Sequence, residues 1–150
     1  MTFEPKDPDY QARVRASFER QTAMKTLGVS IVSLSAGEIE LAMPYSSALT
    51  QQHGFLHAGI IATALDSACG YAAFSLMPSG AAVLTVEFKI NLLTPARGER
   101  FVFHGRVVKP GRTITVCDGQ AFGVAGGQRT LIATMNGTLM ALVDRPGVVE

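Results

Sequence analysis

The segment 58–76 constrains the fold most, because it is rich in alanine and apolar around nearly the whole circumference of a helix. A helix of this kind has no polar surface to present to water and is buried by the rest of its domain. Pro78, Ser79 and Gly80 follow the segment and mark its end. The sequence therefore predicts a central helix that the remaining chain encloses.

Patterns typical of strands and of one further helix surround this segment. Two short alternating runs, 29–33 and 38–43, predict a hairpin, and four long runs predict strands at 83–93, 100–108, 113–124 and 130–143. Helical spacing of apolar residues predicts a helix over 9–27, which Gly28 ends. The expected fold class is α+β, with a long central helix wrapped by a curved antiparallel sheet and an N-terminal helix.

The length and the apolar content indicate how this fold is organised into domains. With 150 residues and 47% hydrophobic content, the chain has the size of one ordinary domain with a well-buried core. We expect a single domain over 1–150, with an N-terminal helical segment at 1–27, a core at 28–143 and a frayed tail at 144–150.

The charge pattern bears on which partners the chain can bind. Thirteen Lys and Arg residues against 12 Asp and Glu give a net charge of +1, so no large field favours nucleic acid or a bilayer surface. Residues 41–65 lack charges, but Pro44 and the polar residues 50–53 interrupt them and Asp66 follows, which is unfavourable for a membrane span. We therefore expect a small-molecule partner, with no nucleic acid and no membrane.

The cellular compartment is suggested by the N-terminus and by the cysteines. The first 21 residues are charged throughout and lack the apolar core of a signal peptide. Cys69 and Cys117 fall in a predicted helix and a predicted strand, an arrangement that suits reduced thiols better than a disulfide framework. The expected location is the cytoplasm.

Asp66 is the position most suggestive of chemistry, because it lies in the middle of the apolar helix. Small residues flank it by one turn on either side, namely Ala62, Thr63, Cys69 and Gly70, and no cation lies on its helical face. Burying an unpaired carboxylate costs several kcal/mol, so the side chain needs a function that offsets this cost. One interpretation is a general base or nucleophile with a raised pKa, and the other is a structural carboxylate that caps a neighbouring loop.

The residues that lead into the helix, 51–59, are the second candidate site. The first N–H groups of a helix have no partner within it and lie at its positive end, and Gly59 would let a ligand approach them closely. Such donors can stabilise the charge that develops on a carbonyl oxygen. The alternative is a glycine-containing loop that simply leads into a buried helix.

The spacing of these two features predicts a dimer. Gly59 and Asp66 are two helical turns apart, which separates them by about 10 Å along the axis. They cannot act on one carbonyl from the same chain. If both take part in one site, they come from different copies of the helix, and the site lies at a two-fold interface.

Other polar residues give weaker indications. His53 and His57 are four residues apart, but no HExxH pattern accompanies them, so we expect no metal. Thr85 reads as an ordinary member of an alternating strand, on a face shared with Glu87, Lys89, Asn91 and Leu93. Lys109, Arg112 and Thr113 belong to a predicted hairpin turn, whose functional interpretation is a clamp for the phosphates of a nucleotide tail.

Three blocks of sequence carry a family resemblance. HGFLHAGIIATALDSACGYAA, TVEFKINLLTPARGE and VVKPGRTITVCDGQAF resemble, in this order, the signatures of hotdog-fold acyl-CoA thioesterases related to the phenylacetate-pathway enzyme. The resemblance covers about residues 27–142. It implies the hotdog fold, a homodimer or a dimer of dimers (a homotetramer), and metal-free hydrolysis of acyl-CoA to a free acid and CoA, with no cofactor beyond the coenzyme A of the substrate.

By position in these motifs, the resemblance also implies roles for individual residues. Asp66 resembles the catalytic carboxylate, Ala58 and Gly59 the glycines of the helix start, His57 the histidine before them, and Thr85 a hydroxyl residue that positions water. Gln51 stands where the family usually has Asn, and Ala58 where it usually has Gly, so rate or substrate preference would differ. Rival functions are a hotdog acyl-CoA hydratase or dehydratase and a non-catalytic acyl-CoA binding protein.

Overall fold

A computed structural model of the protein describes residues 2–148 and contains three α-helices and six strands. The predicted tail at 144–150 thus lies partly outside the described residues. The elements are α1 (Tyr10–Arg20), α2 (Thr22–Leu27), β1 (Ser30–Ser35), β2 (Glu38–Pro44), a short 3-10 helix (Ser47–Leu49), α3 (Ala58–Phe74), β3 (Ala81–Leu92), β4 (Arg100–Lys109), β5 (Ile114–Ala125) and β6 (Gln128–Val143).

The six strands form one antiparallel sheet in the order β1-β2-β4-β5-β6-β3, and α3 packs against it. The predicted α+β arrangement of a central helix and an antiparallel sheet is confirmed. Glycines in the middle of the sheet allow the helix to lie close: a Cβ added to Gly105 would overlap the Ala68 carbonyl. A Cβ on Gly119 would lie 3.1 Å from the Cys69 Sγ. None of the helices in residues 2–148 has the length and apolar character needed to cross a membrane.

The predicted single helix over 9–27 is wrong, because the chain breaks at Gln21 into α1 and α2. Gln21 adopts an extended backbone conformation with φ −77° and ψ 94°. Phe18 of α1 and Met24 of α2 are both buried. Positions six residues apart lie on different faces of a continuous helix, so the break lets both side chains reach the core. Gly28 ends the helical segment, as the sequence predicted, and it adopts the left-handed conformation at φ 72°.

Arg13 attaches the N-terminal segment to the C-terminal end of α3. Its Nε donates to Asp7 Oδ2 at 2.7 Å, and its Nη2 donates to the carbonyl oxygens of Met77 at 2.7 Å and Phe74 at 3.3 Å. The guanidinium also lies over the Phe74 ring, 4.1 Å from its centre. These bonds reach the last residue of α3 and the turn that follows it, and they hold α1 against α3.

Candidate active site

Asp66 lies in the middle of α3, half-buried, and is hydrogen-bonded to a side chain of the edge strand. Thr85 Oγ1 on β3 donates to Asp66 Oδ1 at 2.7 Å. Burial raises the pKa of the Asp66 carboxyl above its ordinary value, and the bond from Thr85 partly opposes this rise. A carboxylate with a raised pKa, held by one hydroxyl and open to a cavity, has the properties of a general base or a nucleophile.

The position of Thr85 depends on an irregularity in β3. The pairing of β3 with β6 shifts register between Thr85 and Glu87, so Thr85 lies opposite the buried Leu139 while Glu87 lies opposite Thr138. Thr138 Oγ1 donates to Glu87 Oε1 on the other face of the sheet. The prediction that Thr85 and Glu87 share a face is therefore wrong. A bulge of this kind reverses the alternation of side chains, and here it directs the Thr85 hydroxyl to Asp66.

A cavity of about 300 Å³ lies beside Asp66. Its other walls are Ser67, Gly70 and Tyr71 of α3, Ser17, Arg20 and Gln21 of the N-terminal segment, and Val83 of β3. Sequence reasoning missed this second group of residues. Ser67 and Tyr71 follow Asp66 by one and five positions, a spacing that the sequence does contain, but no pattern indicated that Ser17 and Gln21 dock beside them.

The start of α3 holds two of the predicted backbone donors, of which one is already engaged. His57 is the N-cap residue, and its Nδ1 accepts a hydrogen bond from the Gly59 N–H at 2.9 Å. The His57 N–H donates to the Leu49 carbonyl at 3.0 Å. Within residues 2–148, the Ala58 N–H has no hydrogen-bond partner. The available donor at the helix start is therefore Ala58 N–H.

A second cavity, of about 490 Å³, lies at this end of α3 and is bounded by Gln51, Ala58 and Leu93 among others. Gln51 Oε1 accepts a hydrogen bond from the His53 N–H, which holds the loop before the helix. None of the residues that line this cavity also lines the Asp66 cavity. Ala58 and Asp66 are eight residues apart, about 12 Å along the helix. Within one chain, the two halves of the predicted site are separate.

The predicted phosphate-binding turn lies away from both cavities. Lys109 ends β4, and Arg112 and Thr113 lie in the turn before β5. Arg112 lines a third cavity together with Lys6 and Leu76, beyond the C-terminal end of α3. One chain therefore does not bring these residues to Asp66 or to Ala58.

The cysteines and histidines form no metal site among the residues that the structure describes, because no three His, Cys, Asp or Glu side chains cluster suitably there. Cys69 and Cys117 are both buried and free. Burial, with a further contribution from nearby Asp118, raises the pKa of Cys117 to about 12, and burial likewise raises the pKa of Cys69. Both thiols are therefore protonated at neutral pH and unreactive as nucleophiles.

Comparisons with known proteins place this geometry among related folds. A family model described as "Thioesterase superfamily" matches residues 53–128, a range that includes both Ala58 and Asp66. A thioesterase family protein from Silicibacter pomeroyi, known from its crystal structure, is 63% identical in sequence to this chain. That match covers 89% of this chain and 98% of the other, with a TM-score of 0.88.

Two more distant matches are a protein of similar fold and a protein of similar sequence. The Escherichia coli PaaI protein, from the phenylacetic acid degradation operon, is 21% identical in sequence. The match covers 89% of this chain and 94% of PaaI, with a TM-score of 0.81, and it shows a likeness of fold. A Halobacterium salinarum protein provisionally named an esterase is 34% identical over 115 residues, which are 73% of this chain and 76% of that protein.

Proposed function

We propose that this chain, which belongs to the thioesterase superfamily and is a thioester hydrolase of the hotdog fold, acts on acyl-CoA esters. The observation that carries the proposal is Asp66, a half-buried carboxylate with a raised pKa that Thr85 holds at the edge of a cavity. We further propose that Asp66 is the catalytic base and that the Ala58 N–H of a second copy of the chain forms the oxyanion hole.

In this reaction a water molecule beside Asp66 attacks the thioester carbon. Asp66 accepts a proton from the water as the new C–O bond forms, and the carbonyl oxygen takes up negative charge, which the Ala58 N–H stabilises. When the intermediate collapses, the C–S bond breaks and CoA leaves with the proton from Asp66. Direct attack by the Asp66 carboxylate, through an acyl-enzyme anhydride, is the alternative that the same geometry allows.

A homodimer would bring the two halves of the site together. Ala58 and Asp66 of one chain lie about 12 Å apart along α3 and border different cavities. The strand that carries Thr85 is an edge of the sheet, and it is apolar: Leu84, Val86 and Leu92 are each half-exposed. Exposed apolar edge strands readily pair with another chain. Pairing of β3 with a second β3 would place two α3 helices side by side, each supplying one half of each site.

Three earlier expectations stay predictions within this proposal. Association of two such dimers into a homotetramer follows from the family resemblance, as does contact of Lys109, Arg112 and Thr113 with CoA phosphates, which a partner chain would have to bring within reach. The cytoplasmic location is expected from the arrangement of the two cysteines and from the charge pattern of the first 21 residues.

The test is thiol release from a panel of acyl-CoA esters that includes phenylacetyl, hydroxyphenylacetyl, benzoyl and straight-chain forms. Asp66→Asn keeps the size of the side chain but removes the base, so turnover should fall by at least about a hundredfold while acyl-CoA binding persists. Asp118→Asn is the matched control, because Asp118 is also half-buried on the sheet, where it accepts a bond from Asn136. This control should turn over normally.

Other results would replace the proposal. Unchanged turnover in Asp66→Asn would remove Asp66 from the mechanism. Hydration of an enoyl-CoA without thiol release would indicate a hydratase, and tight acyl-CoA binding without any turnover would indicate a binding protein.

A further inference from the structure

The face of the sheet that points away from α3 carries a row of apolar side chains across three strands. Met140 on β6 pairs with Leu84 on β3 and with Ile114 on β5, so the three side chains lie next to one another. Leu139, which precedes Met140, is buried in the core with α3, and side chains alternate along a strand, so this row points the other way. Leu84 is 50% exposed and Ile114 is 40% exposed. We call these three residues the apolar row.

The next row along the strands has opposite charges at its two ends, and we call it the charged row. Lys109 on β4 lies opposite Val116 on β5, Val116 lies opposite Thr138 on β6, and Thr138 lies opposite Glu87 on β3. Residues directly opposite each other share a face of the sheet. Four strands spaced by about 4.8 Å separate the two ends by roughly 14 Å. Both charged side chains are exposed, so each is accessible to a partner.

We propose that these two rows form an interface between two copies of the chain, which stack face to face about a two-fold axis parallel to the strands. Rotation about such an axis reverses the order of residues in each row, so Lys109 of one copy lies over Glu87 of the other, twice in each interface. The apolar rows then lie against each other. A two-fold axis across the strands would instead bring like charges together. The strands of the two sheets run in nearly the same direction, as in the aligned packing of sandwiches.

The rest of this outer face explains why the contact is confined to the two rows. Arg129 makes two hydrogen bonds to the Glu40 carboxylate, and Asn136 donates to Asp118, so polar pairs cover the neighbouring part of the sheet. Apolar patches on soluble proteins commonly mark interaction sites. The interface is separate from the edge of β3 that the proposed dimer uses. Both contacts together give four chains, a number that rests on the β3 pairing within the proposed function.

The experiment measures molar mass by light scattering after gel filtration, at one fixed protein concentration. Wild-type protein should have the mass of four 15.9-kDa chains. Glu87→Lys and Lys109→Glu each bring like charges together at both ends of the interface, so each should halve the mass. The double variant E87K/K109E reverses both charges and should restore four chains. Glu99→Lys is the matched control, because Glu99 is exposed outside both rows, and it should keep four chains.

A second variant tests the apolar row and checks that a loss of mass is not unfolding. Met140→Glu places a charge in the contact and should halve the mass, yet it should still release thiol from acyl-CoA, because Met140 points away from Asp66. Val32→Glu is its control, because Val32 is 52% exposed on β1, at the opposite edge of the sheet, and this variant should keep four chains.

Two results would overturn the inference. One is a mass that single charge reversals leave unchanged, or that the double variant fails to restore. The other is a wild-type mass of two chains that Met140→Glu does not alter, which would mean that the rows stay exposed or bind a different protein. Thiol release by the wild-type protein in either case would leave the proposed function intact, and its absence would overturn that function without bearing on the interface.

Discussion

Helix α3 has two surfaces that differ in how closely the rest of the chain packs against them. The surface toward β4 packs so closely that a Cβ on Gly105 would overlap the Ala68 carbonyl. The surface that carries Asp66 borders a cavity, and a Cβ added there to Gly70 would meet nothing within 4 Å. The packed surface holds the helix at a fixed height over the sheet, and the open surface carries Asp66, which we propose as the catalytic base.

This difference explains how a half-buried carboxylate can exist in a helix of mostly apolar residues. Close packing on one side supplies the stability that offsets an incompletely solvated Asp66 on the other. It also fixes Asp66 relative to Thr85, so that a hydrogen bond of 2.7 Å forms without a charged partner. Precise placement of reactive groups on rigid elements is what catalysis requires. The two surfaces should therefore respond differently to substitution.

The largest effect is expected at the start of α3, where Ala58 borders the second cavity. Ala58→Pro removes the N–H that we assign to the oxyanion hole, and it should lower kcat by about 10²–10³-fold. The fold should tolerate it, because proline is favoured at the first position of a helix and the preceding residue, His57, already has the extended conformation that proline needs, at φ −62° and ψ 137°. Ala58→Gly keeps the N–H and should remain active. Steady-state kinetics with circular dichroism would check both variants.

Co-expression of Ala58→Pro with Asp66→Asn extends this test to the two-fold site. A mixed dimer holds one site with neither defect, and half of the dimers are mixed, so activity should return to about a quarter of wild type. A mixture that stays as inactive as its parents would mean that both groups act within one chain.

The central helix, the strands that follow it and the position of Asp66 were predictable from the sequence. The apolar run at 58–76 and the alternating runs after it identified α3 and β3 to β6, because burial of whole faces leaves a periodic pattern. Asp66 stood out because a carboxylate interrupts an otherwise apolar helix. Both predictions depend only on local composition and spacing.

The details that give the site its geometry depend on tertiary contacts and were not predictable. The break at Gln21 follows from the need to bury both Phe18 and Met24. The bulge after Thr85 leaves no trace in an alternating pattern. The engagement of the Gly59 N–H by His57, which leaves Ala58 as the donor, depends on how one side chain is oriented.

A smaller effect, in free energy of unfolding, should separate the two surfaces directly. Gly105→Ala forces a methyl group into the Ala68 backbone, and overpacking of this kind costs about 1–3 kcal/mol. Gly70→Ala adds the same methyl to the open surface, where it meets nothing and improves helix propensity, so stability should stay equal or rise by up to about 1 kcal/mol. Urea unfolding at one fixed protein concentration, which controls for dimer dissociation, would compare them. Equal stability of the two variants would contradict the contrast.

The smallest effect concerns the bond between Thr85 and Asp66, and its sign follows from the pKa. Asp66 must be deprotonated to act as a base, so kcat/KM should fall as the pH drops through its pKa. The bond from Thr85 lowers that pKa, against the larger effect of burial. Thr85→Val removes the hydroxyl without changing the shape of the side chain, so the pKa should rise further and the acidic limb of the profile should move to higher pH.

The loss of activity in Thr85→Val should be largest on the acidic limb and smaller above it, where Asp66 is charged in both proteins. Thr85→Ser keeps the hydroxyl and should restore the wild-type profile. A profile of kcat/KM against pH for the three proteins would measure the shift. An acidic limb that stays in place, or moves to lower pH, would mean that Thr85 positions the carboxylate without stabilising its charge, and that the open surface controls Asp66 through burial alone.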